Sequence, residues 1–197
     1  MRKECAAAFV CLSLFGCSEP SGPAANARAA TSAVQGSGIE PYALLASELL
    51  TDIRIQRDAG VIQARADDLI QQSDVVLDAF KRAYPQCRSY LDAVLTLRAS
   101  LAEMSLAALE QDYHGDGKLP ELPELPDPVC YHSKDLVVHP ATVLVMAKGG
   151  LAGDDAYLEA ELEMVEVMAH IEQVKQAFKR VEVSIEQQGV ANDSTSN

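Results

Sequence analysis

From Leu158 to Ile185 the chain places apolar residues at Leu158, Leu162, Val165, Met168, Ile171, Val174, Phe178, Val181 and Ile185. Steps of three and four line them up along one side of an α-helix, whereas a strand would scatter them over both faces. A stripe of this length is stable only when other apolar stripes cover it, so the rest of the chain has to supply helices. Asp154 or Asp155 caps the start. Acids (Glu159, Glu161, Glu163, Glu166) crowd the first half and bases (Lys175, Lys179, Arg180) the later part, which complements the helix dipole. Gly189 is read as the end of this helix, and residues 190–197 as a disordered tail.

Two further stripes answer the first. Between Glu40-Pro41 and Tyr84, Ile62, Ala66, Leu69, Ser73, Val76, Phe80 and Ala83 follow the same steps, with Leu45, Leu49 and Ile53 on a slightly rotated face. The phase changes at Asp58-Ala59-Gly60. An unbroken helix over this segment would span roughly 66 Å, so a kink or short break is required there. A second helix is expected from Pro85 to Asp112 on Cys87, Tyr90, Val94, Leu97, Leu101, Met104 and Ala108. Prolines at 120, 123, 126 and 128 then exclude a regular helix and mark an extended crossover. The expectation is an all-α, antiparallel, four-helix-bundle-like domain over residues 40–189, with this Pro-rich crossover. With no Trp and four Phe, its core must be built from Leu, Val, Ile, Ala and Met.

The N-terminus has the three parts of an export signal. Arg2 and Lys3 are basic, Ala6 to Phe15 form a short apolar run, and Gly16 precedes Cys17. The run is shorter than the about 20 residues needed to span a bilayer. Leu14-Phe15-Gly16-Cys17 resembles the lipobox of bacterial lipoproteins. The resemblance covers residues 1 to about 20 only. It implies that residues 1–16 are removed, that Cys17 is lipidated, and that Ser18 directs the product to an outer membrane, facing the periplasm. Residues 17–39, rich in Pro, Gly, Ser and Ala, are then a flexible tether. The alternative is an ordinary secretory signal cut near Ala25-Asn26-Ala27, giving a soluble exported protein.

Loss of Arg2, Lys3 and Glu4 with the signal takes the formal charge from -13 to -14. Such acidity argues against nucleic acid and against direct adhesion to anionic lipid. It suits a basic envelope protein as partner, or serves solubility alone. Cys5 and Cys11 leave with the signal, which leaves Cys87 and Cys130. In an oxidising compartment that pair reads as a disulfide, and a reactive or metal-bound thiol pair is the alternative.

The stretch richest in chemistry is Cys130-Tyr131-His132-Ser133-Lys134-Asp135-Leu136-Val137-Val138-His139-Pro140. His132, Asp135 and His139 would line up as ligands for a divalent metal on one face of a continuous helix. Pro140 argues against that helix, because it lacks an N–H and crowds residue 136. Leu136 to Val138 are therefore expected to be extended, with a short helix starting at Pro140 and stopping at Gly149-Gly150. His170 beside Met164 and Met168 offers ligands for a b-type haem. Asp112, His114, Asp116 and Gly117 partly match a calcium loop, but Pro123 occupies its terminal acid position. No G-x-S-x-G, H-E-x-x-H or phosphate loop occurs, so no catalytic residue is assigned. The leading expectation is a lipid-anchored, non-catalytic helical module that binds another envelope component. A metal- or haem-binding bundle and a small-molecule carrier are the alternatives.

Overall fold

The structure is a computed structural model that describes residues 36–113 and 122–194. The signal with Cys17, most of the tether, and the calcium-loop-like turn at His114 and Asp116 lie outside the described residues. Among those described there are six α-helices and no strand, so the all-α expectation holds. The helices are α1 (Ile39–Arg54), α2 (Ala59–Ala83), α3 (Arg88–Leu101), α4 (Leu106–Tyr113), α5 (Val129–Lys148) and α6 (Asp154–Ser194), with a 3-10 turn at Pro85–Cys87. None of them is long and apolar enough to cross a membrane.

The change of phase near Gly60 is a full reversal. Gln56 adopts a left-handed φ of 51°, and Asp58 caps α2 by accepting from the Gly60 N–H at 2.8 Å. Arg65 on α2 reaches back to Glu48 and Asp52 on α1, so the two helices form an antiparallel hairpin. Lys175 pairs with Glu40 and Arg54 with Glu161, which makes α6 antiparallel to α1. Helices α1, α2, α5 and α6 close a four-membered ring, each packed on its neighbours.

The stripe expected over 85–112 does not form one helix. It breaks between Leu101 and Leu106. Ser105 accepts from the Ala108 N–H to start α4, and Lys148 donates to the Ala102 carbonyl at 2.9 Å. Both α3 and α4 lie outside the ring against α5. Cys87, in the 3-10 turn, is joined by a disulfide to Cys130 in the first turn of α5. Asp127, at the end of the crossover, accepts from the Val129 N–H at 2.9 Å, which caps α5, while Leu122 and Leu125 pack on the core.

Helix α5 corrects the sequence reading. It runs unbroken through Pro140, so Leu136, Val137 and Val138 are helical rather than extended. Every residue from Ser133 to Leu144 is buried. A helix covered on all sides has no solvent-facing side to set off its buried one, which is why its apolar run shows no helical period. Pro140 leaves the Leu136 carbonyl without its usual N–H donor. The buried Tyr42 hydroxyl on α1 supplies one, donating to that carbonyl at 2.6 Å. Helix α6 likewise continues through Gly189 to Ser194, an interior glycine costing only about 1 kcal/mol.

Candidate metal site between α5 and α6

Because α5 is continuous, His132, Asp135 and His139 share one of its faces, the one turned towards α6. Helix α6 answers with Glu163, Glu166 and His170, which have the same spacing of three and then four. The two helices run antiparallel, so His132 meets His170 at one end, while His139 meets Glu163 and Glu166 at the other. Asp135 sits between them. One donor atom each from Asp135, His139 and His170 lies within 4.8 Å of the others.

The cluster is layered. His170 Nε2 stands 3.5 Å from Asp135 Oδ2, and two ligand atoms of one tetrahedral zinc would stand roughly 3.3 Å apart. The other nitrogen of His170, Nδ1, lies 2.9 Å from His132 Nδ1. In the tautomer where His170 donates, its Nε2 lone pair faces the Asp135 carboxylate, two acceptors with room for a cation between them. Glu163 Oε2 lies 2.8 Å from His139 Nδ1, and Glu166 Oε2 lies 3.3 Å from His139 Nε2. A carboxylate on Nδ1 fixes the ring and leaves Nε2 to coordinate, the usual support of a metal-bound histidine. His132 and Glu163 thus act as outer partners. Asp135, His139 and His170 are the candidate ligands, and the more exposed Glu166 is a fourth.

Burial disfavours the charged forms of His170 and His132. The His170 imidazole is pushed down to about 4, first by burial, which outweighs the Asp135 charge; His139, His132 and Lys134 lower it further. His132 is also lowered, by burial and by Arg180, against the pull of Asp135. Both rings are therefore neutral near pH 7 and have lone pairs to offer.

Behind Asp135 the polar layer continues. Lys134 is fully buried, with Nζ 3.0 Å from Asp135 Oδ1 and 4.6 Å from the centre of the Tyr131 ring. That approach is an ion pair by distance but not a directed hydrogen bond. Neither Asp135 oxygen has a hydrogen-bond partner among the described residues, nor do the buried Tyr90 hydroxyl and Ser133 Oγ. Burial and the Asp135 charge raise the Tyr90 phenol to about 12.

Of the residues singled out in the sequence, Asp135 and His139 enter the cluster directly and His132 enters it through His170. The sequence reading missed the α6 half. It took Glu163 and Glu166 as dipole-complementing acids and paired His170 with methionines. The matching spacings of His132-Asp135-His139 and Glu163-Glu166-His170 were the available signal. Met164 is buried in the core, and both His170 nitrogens face polar groups, an arrangement that offers no support for a haem plane. Cys87 and Cys130 bond to each other and lie outside the cluster. A groove open to solvent lies beside Gly60, Ala64, Leu144 and Lys148.

The chain matches no protein-family model, no curated protein and no solved structure.

Proposed function

We propose that this protein is an exported, lipid-tethered helical bundle that binds a divalent transition-metal ion between α5 and α6. The observation that carries the reading is the convergence of Asp135, His139 and His170 at a buried point, with the Asp135 oxygens lacking hydrogen-bond partners among the described residues. An anionic carboxylate is costly to bury, and a cation shared with the two imidazoles at Oδ2 would add to the relief that Lys134 gives at Oδ1. Mixed nitrogen and oxygen donors suit zinc, copper or nickel better than calcium or magnesium. The role is binding and carriage of the ion, with Asp135, His139 and His170 as ligands, Glu166 as a fourth, and His132 and Glu163 orienting the rings. The resemblance of Leu14-Phe15-Gly16-Cys17 to a lipobox supports a lipid tether at a membrane surface, which would require no membrane-binding face on the bundle.

Elemental analysis and a visible spectrum of the full chain purified from its native envelope test this reading. About one equivalent of a divalent transition metal, absent from Asp135→Asn, is the expected result. Metal-free, colourless protein that takes up none of zinc, copper or nickel on addition would contradict it.

A second reading, a docking module for a basic envelope protein, has its own support. Leu158, Leu162 and Val165 form an apolar row on α6 that is 55%, 56% and 43% exposed. The acids Glu159, Glu161 and Glu166 flank it. Recovery of a basic protein from envelope extract at low salt but not at high salt tests it, and a partner lost on Leu162→Ser would tie it to this row.

A further inference from the structure

Lys134 is the least ordinary residue in the bundle. Its side chain has no exposed surface, and its ammonium stands 3.0 Å from Asp135 Oδ1 over the Tyr131 ring, while Asp135 Oδ2 faces His170. One carboxylate is thus turned to a fixed cation on one side and to the candidate metal position on the other. We infer that Lys134 is an internal counter-cation that shares Asp135 with the bound metal and sets the strength of the site. This inference rests on the metal-binding reading.

Three carboxylates surround the cluster: Asp135, Glu163 and Glu166. Lys134 offsets the charge of the one it touches, Asp135. An ion bound to Oδ2 would lie roughly 5 to 6 Å from the ammonium, close enough for unscreened repulsion to weaken binding. Lys134 thereby keeps the site exchangeable, as a carrier needs.

A purely structural role for the Lys134–Asp135 pair predicts something different. Replacement by an apolar side chain of similar length would then alter stability and leave metal affinity alone. The test is therefore an affinity. Full-length wild type and Lys134→Met, stripped with chelator, are titrated with zinc alone in competition with a chromophoric chelator. The zinc dissociation constant of Lys134→Met is expected to be at least tenfold lower than that of wild type. An equal or higher constant, with wild type binding, overturns the role of Lys134 and leaves the metal site standing. Failure of both proteins to take up zinc removes the site itself, and this inference with it. If Lys134→Met does not fold when stripped, saturating zinc must restore its cooperative thermal transition, and persistence of the unfolded state overturns the inference.

Discussion

The Tyr42 hydroxyl and the Leu136 carbonyl are joined by a buried 2.6 Å hydrogen bond, and the acceptor is the carbonyl that Pro140 deprives of its helical donor. This bond lets a proline sit inside the central helix, and the central helix is what aligns Asp135 with His139.

Removal of the hydroxyl in Tyr42→Phe leaves that carbonyl buried and unpaired. It should lower stability by about 1–3 kcal/mol in urea unfolding. Pro140→Ala restores an N–H at this position, so the loss on Tyr42→Phe should be markedly smaller in the Pro140→Ala background. Equal losses in both backgrounds would show that the hydroxyl acts through something other than the freed carbonyl.

The Cys87–Cys130 bridge links the 3-10 turn before α3 to α5 across a separation of 43 residues. On the chain-entropy relation a loop of that size stabilises by about 4 kcal/mol. Double replacement by alanine should shift the urea midpoint down accordingly. An unchanged midpoint would remove the bridge from any part in holding α3 against the bundle.

The histidines give the metal-free protein a pH dependence. His170 falls from 6.5 in the unfolded chain to about 4 when folded, so the unfolded state binds the proton first as pH drops. Stability should therefore decline from pH 6.5 towards 4, and His132, lowered in the same direction, adds to the decline. Thermal melts across this range should show it, with a shallower slope in His170→Gln. A flat profile through the range would mean that the ring is not held neutral by burial.

How far the fold was legible depended on how many sides of each helix are covered. Helices α1 and α2 bury one face, and their stripes (Leu69 to Phe80, for example) stood out at steps of three and four. On α6 the stripe is buried at Ile171, Val174 and Phe178, but its first half, Leu158, Leu162 and Val165, faces outward, and Ala160, Met164 and Val167 face the core instead. Helix α5 is covered all round, so Leu136-Val137-Val138 had no period to read, and Pro140 pointed the wrong way because its compensating donor, Tyr42, lies on another helix. The break before α4 was hidden similarly, since Lys148 supplies the Ala102 carbonyl from α5. In the site, His132, Asp135 and His139 stood out as close neighbours in sequence. Glu163 and Glu166 did not, because acids early in a helix already have a reason to be there.

The anchoring proposal makes a separate prediction. Cys17→Ser expressed in a host with lipoprotein processing should move the protein from the membrane fraction to the soluble one, and the wild-type mass should include acyl chains on Cys17. Wild-type protein with an unacylated Cys17 in the native host would leave the bundle exported but untethered.

The central claim is that α5 and α6 together hold one divalent ion through Asp135, His139 and His170. Its most direct test is a zinc titration of the stripped full chain followed by the imidazole nitrogen resonances. The account predicts that the His139 and His170 resonances move together and stop moving at one equivalent, with His132 shifting only as their neighbour. Resonances of His139 and His170 that stay in place through several equivalents of zinc would contradict it.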